Sequence, residues 1–352
     1  MKYSNSKISK AGKTILSSTD KEEYSKAVEV INDWRSLHLP ALDELKSVIE
    51  SLLLSKRIRI YSVSRRLKRF SSIQNKLDRN PESKLGTLQD VGGLRVVVPT
   101  MSVLNKALTI ITENIPEHFE FTKEPVSYID NPKKISGYRS VHFVYKFHSD
   151  NKDIDGAKIE LQLRTKLQHS WAMAVETAEL ITNSALKASQ GEKEWMEFFK
   201  IVSSLFAIKE HSPILEEYKE KGYDKRYLMK ELYRLNKEHM FNDKLKALRI
   251  STNFAKKEEY KDGYYILNID FNLKTVRVKS FPKEKEKEAS ELYSRLEEGL
   301  DERKNAVVLV SVPKIQELQE AYPSYFLDTT YFLEEVDKMI SDCKKLGVIS
   351  DK

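Results

Sequence analysis

One cysteine, Cys343, stands among 352 residues. It has no partner for a disulfide within the chain and excludes a cysteine-built metal scaffold, which points to a reducing compartment. Long apolar runs are also missing. The first residues, MKYSNSKISKAGK, lack the apolar core of a signal peptide, and no later run approaches membrane-spanning length. The expectation is a cytoplasmic protein with no membrane segment. No internal repeat is visible. Charge is not dominated by one sign, because 60 Lys and Arg face 53 Asp and Glu for a net +7. That excess favours an anionic partner, nucleotide or RNA, without choosing between them. Apolar residues at 40% and aromatics at 10% permit a buried core and exclude wholesale disorder.

Patterning divides the chain near residue 250. The first 20 or so residues are rich in Ser and Lys and read as loosely ordered. Helical spacing follows over 21–35 and 39–54. Residues 94–98 (LRVVV) read as a buried strand ending at Pro99, with an amphipathic helix over 103–115 behind it. Alternation marks strands at 138–147 and 157–163, and helices are expected over 165–181, 192–209 and 214–248. Beyond 250 the pattern is a hairpin of 264–271 and 275–281, a charged helix over 283–304, a strand at 306–312 and helices at 315–321 and 331–345. The order β-β-α-β-α beyond the boundary predicts a small α+β domain over 251–352, after a first domain over 1–250. The KEKEKE run at 283–288 reads as a solvated helix face.

Four clusters carry chemistry. In RRLKRFSSIQNKL, read as a helix, Arg65, Arg69, Ser72 and Lys76 fall near one line, flanked by Arg66 and Lys68. Convergent cations and a hydroxyl suit phosphates, although an ordinary basic helix face has the same look. In DVGGLR, Asp90 and Arg95 bracket paired glycines at the mouth of a strand, suited to a Mg²⁺ ligand with phosphate near the backbone, or equally to a plain turn. In KISGYRSVH, Lys134 precedes a strand on which Tyr138, Ser140 and His142 share a face, as stacking and phosphate contacts require. In ELQLRT, Glu160, Gln162 and Arg164 project together from a strand whose other face is apolar, and Glu160 can be the second acid beside Asp90.

Together and in this order, the clusters resemble the synthetase domain of the RelA/SpoT family. The matching patterns are RxKxxxSIxxK over 66–76, DxxGxR over 90–95, KxxGYRSxH over 134–142 and ExQxRTxxQxxWAxxxE over 160–176. No His-Asp hydrolase segment is recognised ahead of Arg66, so a hydrolase-less member is expected. The resemblance implies an α+β fold over 1–250, a mixed β-sheet flanked by helices like that of nucleotidyltransferases, and transfer of diphosphate from ATP to a ribose 3′-hydroxyl, releasing AMP. It implies that Arg66 stacks on adenine and that Lys68, Ser72, Lys76 and Arg95 contact the ATP phosphates. Asp90 and Glu160 become the catalytic Mg²⁺ ligands. Tyr138 stacks on the acceptor's base, and Lys134, His142, Gln162 and Arg164 complete the acceptor side.

The family divides by acceptor, between GDP or GTP and the 3′ CCA end of tRNA. Tyr322-Pro-Ser-Tyr325 supplies a YxxY element, which resembles that of CapRel-type fused toxin–antitoxin proteins of anti-phage defence. That resemblance implies a C-terminal domain like a zinc finger without its metal, inhibiting in cis through Tyr322 and Tyr325 and released by a phage capsid protein. Core packing of the same two tyrosines is the competing reading. On this basis tRNA is the expected acceptor, with GDP or GTP the alternative.

Overall fold

The computed structural model describes residues 1–182, 193–246, 263–270, 275–297, 305–311 and 329–345. The chain opens with helices α1 (Asn5–Ser17), α2 (Lys21–Ser36) and α3 (Leu39–Ser55), then strand β1 (Ser62–Leu67), α4 (Phe70–Arg79), β2 (Gly92–Val98) and α5 (Met101–Asn114). Strands β3 (Phe119–Phe121), β4 (Val126–Ser127), β5 (Val141–Phe147) and β6 (Lys158–Thr165) lead into α6 (Lys166–Thr182) and α7 (Lys193–Lys209). After α8 (Glu216–Glu220), α9 (Lys225–His239) and α10 (Phe241–Lys246) come β7 (Tyr264–Asp270), β8 (Thr275–Phe281), α11 (Glu286–Glu297), β9 (Asn305–Ser311) and α12 (Thr330–Lys345).

These strands form one mixed sheet in the order β3-β5-β6-β2-β1-β9-β7-β8, with β4 beside β5. The β2–β6 pair is parallel, and the other pairs are antiparallel. Alternation gives the sheet two unlike faces. One carries Leu94, Val96, Phe143, Tyr145, Ile159 and Leu161, buried beneath α3 and α5. The opposite face carries Arg66, Gly93 and Glu160 side by side in register, then Ser64, Arg95, Gln162 and His142 one row on. Several of the candidate residues singled out from the sequence share this polar face. The α+β class expected from the sequence is the one observed.

Three local expectations need correction. Residues 65 and 66 lie on a strand, not a helix, because β1 is paired on both sides, by β2 and by β9. Their side chains therefore point to opposite faces: Arg65 is buried on the α3 side in an ion pair with Asp43, below the ring of Tyr264. The N-terminal segment is a helix rather than a loose tail. Ser4 caps α1, and Ile8, Ala11 and Ile15 pack against residues of α2 and α4 such as Ile31, Trp34, Ile73 and Leu77. The single helix expected over 214–248 is broken into α8, α9 and α10, with Gly222 and Met240 at left-handed φ between them.

The expected boundary near residue 250 falls within 247–262, outside the described residues. On its far side, Tyr264, Ile266, Phe281, Ala289, Tyr293, Val307 and Leu309 form a small cluster of their own. Strand β9 and helix α12 are among the elements that bind the C-terminal part into the rest. Strand β9 extends the sheet through β1, and α12 buries Phe332, Leu333, Val336 and Cys343 in the cluster containing Trp171, Phe198 and Phe206. The helix expected at 315–321, and Tyr322 and Tyr325, lie outside the described residues. Among the described residues, no helix is long and apolar enough to cross a membrane.

Candidate active site

The phosphate-binding candidates sit where β1 gives way to α4. The Lys68 amide donates to the Val91 carbonyl at 2.8 Å, which joins this turn to the start of β2. Buried Ile73 and Leu77 fix α4 against α1, leaving Ser72 and Lys76 on its half-exposed side. Lys68 Nζ reaches Asp90 Oδ2 at 2.9 Å, and Lys76 Nζ reaches both Asp90 oxygens at 3.0 and 3.1 Å. Burial pushes the Asp90 carboxyl up, but the two lysine charges outweigh it and hold the group at about 2. At Lys68 burial prevails over the attraction of Asp90, and the ammonium is held below its usual value. The two directions agree once stoichiometry is counted: one carboxylate faces two cations, whereas Lys68 faces one carboxylate and also Lys76. Asp90 is the firmly charged member.

The other half is built on β5 and β6. Gly137, at φ +79°, turns the chain just before Tyr138, where Ser203 of α7 packs against it and donates to its carbonyl. The Tyr138 hydroxyl accepts from Arg164 Nη2 at 2.6 Å and lies 2.8 Å from His142 Nε2. His142 Nδ1 lies 2.8 Å from Glu160 Oε1. A carboxylate can only accept, so Nδ1 donates to Glu160, and with the ring in that tautomer Nε2 accepts from the phenol. Donation thus runs Arg164 to Tyr138 to His142 to Glu160. Gln162 closes a second path, accepting from Arg164 and donating to Glu160 Oε2, both at 2.6 Å. Burial and the charge of Asp90 push Glu160 up, yet the bonds from His142 and Gln162 win and hold its pKa below the ordinary value.

Both acids are therefore carboxylates, at the same end of the parallel β2–β6 pair. Between Arg66 and Glu160, Gly93 contributes no side chain, and a Cβ there would meet only the Arg66 carbonyl oxygen, at 3.7 Å. The open space on that row is bounded by a guanidinium on one side and a carboxylate on the other.

Of the residues singled out from the sequence, Arg66, Lys68, Ser72, Lys76, Asp90, Tyr138, His142, Glu160 and Gln162 gather here. Arg95 and Arg164 are buried beneath, Arg95 against the sulfur of Met173 at 3.8 Å. Ser140 is fully buried and donates to the Leu163 carbonyl, so its place is structural. Lys134 is elsewhere: it lines a cavity of about 470 Å³ with Glu197, Lys200 and Glu217. Its neighbour Lys133 lies on the site, 4.9 and 5.3 Å over the rings of Tyr128 and Tyr138. Burial lowers the Lys133 pKa, and the charges of both Glu160 and Asp90 act on it. Tyr128, packed edge-on against His142 at 5.0 Å, carried no signal of its own.

Comparison with known proteins bears on the same segment. Residues 65–181 match the family described as the region found in RelA / SpoT proteins. Uncharacterised proteins of Mycobacterium tuberculosis and Mycobacterium bovis are 30% identical over 111 residues, covering 31% of this chain and 36% of theirs. The chain thus spans about a third of the length of these curated relatives. Among solved structures, a GTP pyrophosphokinase family protein from Streptococcus pneumoniae is similar at 24% identity and a TM-score of 0.40, over 49% of this chain and 84% of that one. Small alarmone synthetase 1 from Bacillus subtilis is similar at 21% identity and a TM-score of 0.42, over 53% and 93%. The matched segment, residues 65–181, contains every residue gathered at the site described above.

Proposed function

We propose that the chain is a pyrophosphokinase, moving diphosphate from ATP to a ribose 3′-hydroxyl. The observation that carries this reading is the pair of ionised acids, Asp90 and Glu160, with cations on the β1–α4 side and an aromatic–imidazole chain on the other. The 3′-oxygen attacks the β-phosphorus, the bond from that phosphorus to the oxygen bridging it to the α-phosphorus breaks, and AMP departs. The hydroxyl proton passes to Glu160, whose carboxylate faces the acceptor side through His142. Lys68, Lys76 and Ser72 bind the phosphates that migrate, Arg66 stacks on adenine, and Tyr138 orients the acceptor. Among the described residues, no group of three or more acids, histidines or cysteines could hold a metal. Asp90 and Glu160, completed by substrate phosphates, would suit Mg²⁺, which would offset phosphate charge.

The acceptor we propose is the 3′ CCA end of tRNA, in keeping with the net charge of +7. Tyr322 and Tyr325 are proposed to inhibit in cis until a trigger, a phage capsid protein in the CapRel-like reading, relieves them in the cytoplasm. Incubation of the Tyr322→Ala, Tyr325→Ala protein, freed of that inhibition, with γ-labelled ATP and either bulk tRNA or GDP and GTP tests the reaction and the acceptor together. Label in tRNA supports the proposal, label in guanosine nucleotides makes the chain an alarmone synthetase, and label in neither overturns the activity.

A further inference from the structure

The phosphate-binding turn is gripped from the far end of the sequence. Arg35 of α2, 1% exposed, donates from Nε and Nη2 to the carbonyl of Lys68 at 3.0 and 2.7 Å. Its Nη1 donates to Glu297 Oε2 at 3.0 Å, in an ion pair with side-chain exposures of 2% and 7%. Glu297 is the last residue of α11, and its Oε1 accepts from the amide of Phe70 at 2.8 Å. Phe70 is the first residue of α4, whose N-terminal neighbour, Arg69, makes no side-chain cap. The Tyr293 hydroxyl ties the group together, donating to Glu297 at 2.7 Å and accepting from Arg35 at 3.0 Å.

A helix start leaves amides unpaired and favours a negative charge beside them. Here that charge comes from 227 residues away. The Arg35 and Glu297 side chains hold the two peptide groups flanking Arg69, between Lys68 and the helix that carries Ser72 and Lys76. A buried, charged cluster therefore fixes the turn from which Lys68 and the helix of Lys76 start.

We propose that Glu297 is a positioning residue for the nucleotide phosphates: from the C-terminal part it caps α4, and with Arg35 it sets Lys68 and Lys76 against Asp90. The inference rests on the pyrophosphokinase reading for its kinetic consequence, but not for its structural one. Glu297→Gln removes the charge while keeping the shape, and Tyr293→Phe removes only the tie. Amide hydrogen exchange over residues 68–79 and binding of a non-hydrolysable ATP analogue are measured on the full chain, with Glu291→Gln on the exposed side of α11 as control. Glu297→Gln is expected to speed exchange in 68–79 selectively, and to weaken analogue binding by about tenfold, the scale set by loss of a helix cap. Tyr293→Phe should fall between wild type and Glu297→Gln, and the control should match wild type. In turnover, KM for ATP should rise while kcat stays within about twofold, as when ground-state and transition-state binding are lost together. Unchanged exchange and unchanged analogue binding in a folded Glu297→Gln protein overturn the inference. If wild type binds no ATP analogue while Glu297→Gln still frees residues 68–79, the positioning stands and the pyrophosphokinase reading falls.

Discussion

His142 presents Nδ1 to the Glu160 carboxylate at 2.8 Å, and this bond opposes the burial that would otherwise keep the acid protonated to higher pH. Glu160 has its folded pKa held below the usual value, so the stability and reactivity linked to its charge are present at neutral pH. They are lost as pH falls through that lowered pKa. Replacing His142 with Ala takes away the largest opposing contact and leaves burial in command. The acidic limb of a kcat/KM profile between pH 4 and 8 should then move to higher pH. An acidic limb at the wild-type position would mean that His142 does not set the charge of Glu160.

Asp90 supports a sharper pair of expectations. With its carboxyl at about 2, it stays charged throughout the working range, and the ion pairs to Lys68 and Lys76 weaken only below about pH 4. The shift corresponds to about 2 kcal/mol of stability at pH 7. Asp90→Asn should lower unfolding stability by about that amount, yet remain folded. Transfer should fall on the order of a hundredfold or more, because a metal-binding charge and the anchor of Lys68 and Lys76 are gone. Glu160→Gln should show the same catalytic loss. Denaturant titration beside turnover separates the effects, and a folded variant of either kind with normal turnover removes that acid from the site.

Adjacent lysines give the next contrast. Lys133 sits over Tyr128 and Tyr138 and feels both acids, whereas Lys134 faces a different cavity. Lys133→Ala should raise KM for the acceptor by roughly five- to tenfold, the scale of one partly desolvated charged contact. Lys134→Ala should leave the acceptor KM near wild type. The reverse result would return the role to the residue that the motif spacing first suggested.

That exchange of Lys133 for Lys134 shows where sequence reading loses its grip. Alternation placed Glu160, Gln162 and Arg164 on one face of β6 and His142 on the matching face of β5, because a strand's period is local to the chain. A loop has no period, so spacing alone could not say which of two lysines turns inward. Strand β1 failed for a different reason. Its residues, Ser62–Leu67, hold one β-branched side chain, Val63, and its extended form comes from partners on both edges, one of them about 245 residues downstream. Helix α1 was obscured by its serines and lysines, although Ile8, Ala11 and Ile15 already marked one buried stripe. The Arg35–Glu297 pair left no trace at all, since a charge at residue 297 of a charged helix looks like solvated surface until the fold brings it home.

The same long-range pairing decides how cis inhibition should be tested. Cutting the chain after α10 would delete the C-terminal part, yet it would also strip Phe332, Leu333, Val336 and Cys343 from the core beneath α6, α7 and α9. At about 1.5–3 kcal/mol for each fully buried apolar side chain, the loss approaches the whole stability of an ordinary domain. It would also remove β9 from the edge of β1 and Glu297 from the start of α4. A silent truncated protein would therefore say nothing about inhibition. Tyr322→Ala combined with Tyr325→Ala keeps β9, α11 and α12 in the chain and changes only the proposed inhibitory side chains. If these tyrosines hold the enzyme off, the double variant should arrest growth of an expressing cell without any trigger, and adding Asp90→Asn should abolish the arrest. Purified double variant should label its acceptor faster than wild type at equal ATP. Equal rates, with no arrest from soluble protein, would assign both tyrosines to core packing and leave the C-terminal part as a support for the phosphate site.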